Sequence, residues 1–375
     1  MISRGICGGY KKYLDHIIPL LSRSKEISKI SFFSPSVDEI FRKPYKIDNI
    51  EYENCPPFKP FSSKLEEVLE KALSKFSPDV IFIPIHRYIR FKNIPVVNML
   101  HNMEPFYFEI RKYPIKEAIR LLLLRKETTI NLRNSSRVIA ISKFVRDCMI
   151  EKMKIVPQKI GLVYFGINSN EETLFPQKPE AVPIEWKGNF IFSAGGIRPS
   201  RGLEDILTTL KELFAKRKDN LNGLVIAGEP ENSMLKYHQK LKTWVSNNKL
   251  DNQVIWTKNI AKHEMKWCYE NCKLFVMTSR IEACPNIALE SMNNGCVSIV
   301  ANNPPLPEFF SNAAIYYEPM NTNELLTRII QLIENADITS KLSQEARKRA
   351  LDFTWEKTAQ QTIHEIQTVL LEQNA

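Results

Sequence analysis

LFVMTSRIEACPNIALESMNNGCVSIV runs from Leu274 to Val300 and holds one unit of a parallel α/β sheet. Leu274–Met277 and Cys296–Val300 are short apolar runs of the kind that form strands buried on both faces. The helix expected between them is punctuated at both ends. Pro285 suits the first helical position, where its missing N–H costs nothing. Gly295 suits the position just past the last turn. Such a helix turns the free N–H groups of Asn286, Ile287 and Ala288 toward whatever lies beyond the strand ends, a place that favours anions and oxygen acceptors. Glu282 precedes the helix on the loop Thr278–Cys284. Glu290 falls about one and a half turns inside it, at ~3.6 residues per turn, among Ile287, Leu289 and Met292. Either glutamate alone reads as an ordinary solvent-facing residue. The two together, framed by Pro285 and Gly295, read as a site.

The same alternation extends in both directions. Ile30–Phe33, Val80–Pro84, Val96–Leu100, Val138–Ile141 and Ile160–Tyr164 read as strands in the first half. Phe190–Ala194, Leu224–Ala227, Val254–Thr257, Leu274–Met277, Val297–Val300 and Ala314–Tyr317 read as strands in the second. Helical patterns separate them at Tyr10–Ser22, Ser63–Lys75, Ile115–Asn134, Leu203–Arg217, Met234–Asn247, His263–Asn271 and Asn323–Ala336. Strand–helix–strand repetition predicts doubly wound parallel sheets, and it occurs twice. The 375 residues also exceed the roughly 250–300 at which one core stops growing. A polar stretch with Pro176, Pro179 and Pro183 lies between the halves and reads as a linker. In such sheets ligands bind beyond the carboxyl ends of the strands, so the loops after strands carry the chemistry. Two such domains facing each other enclose a cleft.

Composition narrows the classes. No run of ~18 apolar residues predicts a membrane span. The charged first twenty residues, with Arg4, Lys11, Lys12, Asp15 and His16, do not form a signal peptide. Seven scattered cysteines read as reduced and cytoplasmic. Cys268 and Cys272 are a close pair with no second pair to complete a zinc set, so buried thiols are the better reading. The net charge of +10 comes from residues 1–180, which hold 30 basic against 20 acidic side chains. Residues 111–160 concentrate 13 Lys and Arg against 4 Asp and Glu. That patch reads either as a solvated basic face or as a seat for anionic membrane lipid, nucleic acid or substrate. Within it, Lys112, Lys116 and Arg120 share a helix face beside Leu121–Leu124.

Glu282 and Glu290 with seven residues between, followed by Ser291-Met292-Asn293-Asn294-Gly295, resemble the signature of the retaining nucleotide-sugar glycosyltransferases of family four. The resemblance continues through GGIRPSRGLEDIL (Gly195–Leu207), similar to the family's phosphate loop. VIAISKFVRDCM and KIGLVYFGINSNEETLFP resemble the end of its first domain, and FTWEKTAQQ (Phe353–Gln361) its last helix. It implies a GT-B fold, two Rossmann-like doubly wound domains facing a cleft: an acceptor-side domain over 1–172, a linker at 173–187, a nucleotide-sugar domain over 188–354, and a C-terminal helix at 355–375 packing back on the first domain. Departures are visible. Gly196 stands where the family has arginine, and Arg201 where it has lysine; Arg198, two residues past the missing arginine, is placed to replace its charge. CGGYKKYL (Cys7–Leu14) resembles the glycine loop after the first strand, yet only MISRGI precedes it, so the first strand is expected to be missing or shortened.

The resemblance implies transfer of a sugar from a nucleotide diphosphate sugar to a hydroxyl acceptor with retained configuration, in surface polysaccharide or glycolipid assembly. Glu282, His101 and Arg201 would act at the transferred sugar and the leaving diphosphate. Gly8, Gly9, Gly195, Gly196, Arg198, Arg201, Ala283, Cys284, Pro285, Asn286, Ile287 and Glu290 would hold the donor, with Glu290 on the ribose hydroxyls. The sequence contains no Asp-x-Asp carboxylate pair of the kind that holds Mn²⁺ or Mg²⁺ against a diphosphate, so no metal and no cofactor beyond the donor is expected. A hydroxyl acceptor on a glycan or lipid-linked glycan and an anionic membrane surface at 111–160 are the expected partners, at the cytoplasmic face. Other readings are a sugar-nucleotide epimerase or phosphorylase of the same fold, and a basic nucleic-acid-binding protein. The last lacks aromatic interleaving or a recognition motif, so no nucleic acid is expected.

Overall fold

Six strands of the second half form one parallel sheet: β7 (Phe190–Ala194), β8 (Gly223–Ala227), β9 (Val254–Lys258), β10 (Leu274–Met277), β11 (Ser298–Ala301) and β12 (Ala314–Tyr317). This computed structural model describes residues 1–3, 8–35, 48–56, 63–86, 94–167, 175–216 and 221–374. The strand order is β12-β11-β10-β7-β8-β9, every pair parallel. The apolar runs are buried on both faces as expected of crossover-connected strands: Phe190, Ile191, Phe192, Leu224, Val225, Phe275, Val276, Ile299 and Val300 are fully buried. Truncating any of the larger ones to alanine costs about 2–5 kcal/mol. The order reverses between β7 and β10, the place where such sheets open a crevice for ligands.

The first half carries a second parallel sheet. β3 (Ile81–Ile83), β4 (Val96–Leu100), β5 (Arg137–Ala140) and β6 (Ile160–Leu162) pair in that order, and β1 (Ile30–Ser34) pairs with β2 (Ile50–Asn54). Met1–Ser3 lies between the two sets. Ile2 N–H donates to Phe82 O at 3.0 Å, Ser3 N–H to Phe33 O at 2.8 Å, and Phe33 N–H to Met1 O at 2.9 Å. Among the described residues, Met1–Ser3 thus pairs where the first strand was expected. β2, with the sequence IEYEN, was not anticipated. It is an edge strand whose burial fades after Ile50, and charges such as Glu51 and Glu53 suit an edge that must not recruit further strands.

The chain divides into two units, residues 1–103 with 123–166 and 354–375, and residues 104–122 with 167–353. The final helix, Trp355–Asn374, belongs to the first unit. There Glu365 pairs with Arg137 of β5, both side chains about 10% exposed. Gly161 of β6 leaves room for that carboxylate, because a Cβ there would lie 2.1 Å from Glu365 Cδ. Removing one partner of such a buried pair costs about 3–5 kcal/mol.

Two features of this division depart from the sequence reading. Residues 104–122 group with the second unit. The cause is local packing: Tyr113, Ala118 and Leu121 bury against Met234, with Phe108 beside them. The proline-rich stretch is also not a free linker beyond 175, since Val182 and Trp186 are buried. Its first residues, 173 and 174, and Cys7 of the glycine loop lie outside the described residues.

Candidate active site

The loops after β7 and β10 flank the switch point, and the chain fastens them to each other. The loop after β7 ends in a 3₁₀ turn, Pro199–Arg201, closed by Gly202 in the left-handed region at φ +60°. A Cβ on Gly202 would meet Thr278 O at 2.4 Å, so only glycine lets the two loop backbones approach this closely. Arg280 N–H donates to Ser200 O at 2.7 Å, and the Thr278 hydroxyl to Arg201 O at 2.7 Å. Arg280 also pairs with Asp205 at 2.5 Å. Asp205 accepts further hydrogen bonds from the Tyr317 hydroxyl at 2.9 Å and from Met320 N–H at 3.0 Å. Burial, and then the neighbouring Asp205 charge, push the Tyr317 hydroxyl far above its ordinary pKa, so it stays a donor at every physiological pH.

Within this frame Arg201 meets Glu282. One guanidinium nitrogen, Nη1, donates to the Glu282 carboxylate and, at 3.2 Å, to the Ser279 hydroxyl. Arg201 Nε is buried with no hydrogen-bond partner among the described residues. It lies beside Gly195, where an added Cβ would sit 3.0 Å away. Gly195 N–H is held by Ala227 O at 2.8 Å, and Gly196 is exposed. The arrangement offers a cation, a carboxylate and an unused N–H donor around a backbone with no side chain in the way.

The helix after the β10 loop spans Asn286–Asn293, with Pro285 one position earlier than expected, at the cap. Ala288 N–H donates to Pro285 O at 2.9 Å. This corrects the expectation of three free N–H groups, because the first turn closes on the cap carbonyl and takes Ala288 out of use. Asn286 Oδ1 is buried and has no partner among the described residues. Glu290 accepts a hydrogen bond from the Tyr269 hydroxyl at 3.0 Å. Tyr269 is buried, and that burial, followed by the Glu290 charge, drives its pKa well upward. Ala283 and Pro285 are buried, whereas Cys284 and Ile287 are half-buried.

The second arginine has a different setting. Arg198 Nη2 lies 2.9 Å from Glu104 Oε2 and 3.8 Å from Glu117 Oε1, and its Nη1 lies 3.6 Å from Glu231 Oε1. In the first unit, His101 stands at the end of β4. Its ring packs edge-on to Tyr10 and Tyr13 at 5.5 and 5.6 Å, and tilts against Phe165 at 5.1 Å. Gly8 and Gly9 open the helix Gly8–Ser22. Ser279, Asp205, Arg280 and Tyr269 were missed by the sequence reading. A serine and an arginine on a loop, and a tyrosine in an amphipathic pattern, give no signal until their partners are known.

A model of glycosyltransferase family 4 matches residues 12–171, and one of glycosyl transferases group 1 matches residues 175–349. The chain belongs to the family-four glycosyltransferases. Among curated relatives, an O-antigen chain mannosyltransferase of Salmonella typhimurium is 21% identical over 75% of this chain and 73% of its own length. Mannosylfructose-phosphate synthase of Agrobacterium fabrum is 22% identical over 62% of this chain and 52% of its own length. The chain thus spans about half the length of some of the curated relatives it matches. Among solved structures, HepE of Anabaena in complex with UDP and glucose aligns with a TM-score of 0.73 and 16% identity, over 98% of this chain and 99% of that one. A glycosyltransferase from Rickettsia africae aligns with a TM-score of 0.72 and 16% identity, over 98% and 97%. These likenesses show the GT-B fold of this glycosyltransferase.

Proposed function

We propose that this glycosyltransferase moves a sugar from a nucleotide diphosphate sugar to a hydroxyl on a surface glycan or glycolipid, with retention at the anomeric carbon. The observation that carries this reading is the meeting of Arg201 and Glu282 at the switch point of the second sheet. Cleavage of the donor develops negative charge on the leaving diphosphate. Fixed cations and N–H groups aimed at that charge lower the barrier without reorganising. Arg201, through its unused Nε–H, and the helix starts at Leu203 and Asn286 supply them. Glu282 positions the sugar. Glu290, oriented by Tyr269, accepts from the ribose hydroxyls, a charge-assisted contact. Gly195 and Gly196 let the backbone approach the phosphates, with Ala283–Ile287 beside the sugar. The acceptor attacks from the face the diphosphate leaves, and the departing phosphate oxygen takes its proton, so no enzyme nucleophile is required. The resemblance adds His101 and the Gly8–Gly9 pair from the first unit.

In this reading the charge is met by protein groups and no divalent ion takes part. Transfer from UDP-, GDP- and ADP-sugars with product anomer analysis tests the reaction, and the same assay in excess chelator tests the ion. A retained anomer at undiminished rate is expected. Epimerised or phosphorolysed donor, or activity that returns only with Mn²⁺ or Mg²⁺, would overturn the respective part.

The acceptor side of the proposal is an anionic membrane surface at the cytoplasmic face. No described helix is long and apolar enough to cross a membrane. Within residues 104–122, however, Ile110, Ile115, Ile119 and Leu122 are between 44% and 79% exposed, interleaved with the exposed Arg111, Lys112, Lys116 and Arg120. Apolar side chains among cations suit insertion between anionic headgroups. Pelleting with phosphatidylglycerol vesicles, weakened by salt and lost in Ile115→Asp/Ile119→Asp, is expected; equal pelleting with neutral vesicles would count against it.

A further inference from the structure

Arg198 invites a phosphate assignment from its place in the loop after β7, but its surroundings are acidic. Glu104 and Glu117, each about 5% exposed at the side chain, approach its guanidinium from residues 104–122, and Glu231 approaches from the loop after β8. A second guanidinium joins them: Arg120 donates through Nε to Glu117 Oε2 at 2.9 Å and through Nη2 to Oε1. Three carboxylates thus face two cations, and the cluster is net negative. The Tyr113 hydroxyl donates to Glu104 Oε1 at 2.6 Å. Residues 104–122 therefore hold the start of the turn after β7 through Arg198.

A dianionic diphosphate brought to Arg198 would meet those carboxylates within 4 Å of the same guanidinium. Moving Arg198 off them would leave Glu104 buried with a missing partner, and stranding a buried charge is costly. Each arginine keeps an Nε–H without a partner among the described residues, but Arg201 faces one carboxylate and adjoins Gly195. We infer that Arg198 is a positioning residue which fastens the phosphate loop to residues 104–122, and that the charge of the donor's diphosphate falls to Arg201. The inference rests on the donor-site reading given above and assigns roles within that site.

The experiment measures binding of UDP, GDP and ADP to the full chain, chooses the tightest, and compares that diphosphate with its monophosphate. The ratio of the two affinities reports the β-phosphate contact and is insensitive to a general loosening of the fold. Arg201→Gln is expected to weaken the diphosphate at least tenfold and to collapse the ratio toward one. Arg198→Gln is expected to keep the ratio within about threefold of wild type while lowering Tm. Glu104→Gln should lower Tm as well, and the Arg198→Gln/Glu104→Gln double variant should lower it by less than the sum, the coupling of groups in one network. Arg198→Lys, which keeps a cation against Glu104, guards against a glutamine variant that does not fold. A ratio that collapses in Arg198→Gln or Arg198→Lys, or a diphosphate bound more tightly by Glu104→Gln, overturns the assignment. If neither arginine variant moves the ratio, the donor-site reading itself fails, and this assignment with it.

Discussion

Arg198 caps one 3₁₀ turn and Arg201 ends it, three residues on, yet the regions they enter differ. Around Arg198 the contacts come from residues 104–122 and 231, where three carboxylates face two guanidinium groups and Arg198 Nε, like Arg201 Nε, has no hydrogen-bond partner among the described residues. Around Arg201 they come from the loop after β10, with one carboxylate, one hydroxyl and a guanidinium N–H left over. Both arginines keep an Nε–H without a partner, so what separates them is the number of carboxylates that reach each guanidinium. The contrast teaches that the surroundings differ where the sequence does not: in the proposed site the role assigned to each arginine follows from the carboxylates reaching it.

The largest effect that would break this contrast belongs to Arg201. Arg201→Ala is expected to reduce turnover by a factor of ~10²–10³, the usual loss for one fixed donor at developing charge, with Arg201→Lys retaining an intermediate rate. Steady-state transfer with the preferred donor measures both, and a near-normal alanine variant would erase the difference between the two arginines. Next in size are the glutamates. Glu282→Ala should cut kcat while leaving the Kd for bare nucleotide nearly intact. Glu290→Ala should weaken nucleotide binding about tenfold, because a hydrogen bond to a charged group contributes roughly 1.5–3 kcal/mol. Calorimetric titration separates these, and similar nucleotide affinities in the two variants would contradict their separate roles.

The smallest effect is in pH dependence on the Arg198 side. Hydrogen bonding from Arg120, then nearby cationic charge from Arg120 and Arg198, hold the Glu117 carboxyl below the usual carboxylate range. A depressed pKa contributes stability that is present above the unfolded value of about 4.3 and is lost as pH falls through the folded value. Thermal unfolding below about pH 4.3 should therefore show a steeper loss in wild type than in Glu117→Gln. Parallel curves would mean that Glu117 adds nothing to the clamp.

Much of the fold was legible because buried parallel strands are apolar runs. Phe190–Ala194, Leu274–Met277 and Ala314–Tyr317 appear at the residues expected. The edge strand Ile50–Asn54 escaped because an edge needs charge more than burial. The helices Lys143–Glu151 and Ala336–Ala350 were passed over although each has a capping side chain, from Ser142 and Asn335. Glu282 and Arg201 lie on the loops after β10 and β7, as the sequence placed them. The placement of residues 104–122 was not legible, because it depends on Tyr113 and Leu121 finding Met234 far along the chain. The consequence for Arg198 was hidden with it.

The half-buried thiol of Cys284, between Glu282 and Pro285, makes the site open to covalent chemistry. Cys55, Cys148, Cys268 and Cys296 are buried. Burial raises the Cys55 pKa to about 11 and lifts those of Cys268 and Cys296 further. A thiol alkylates through its thiolate, so these react slowly at neutral pH. Among the described cysteines, Cys272 and Cys284 are the ones open to reagent. If the donor takes the seat proposed for it against Ala283–Ile287, Cys284 is expected to be shielded and Cys272 to react as before. The rate at which iodoacetamide consumes Cys284, followed by peptide mass, thus becomes a footprint of occupancy that needs neither acceptor nor turnover.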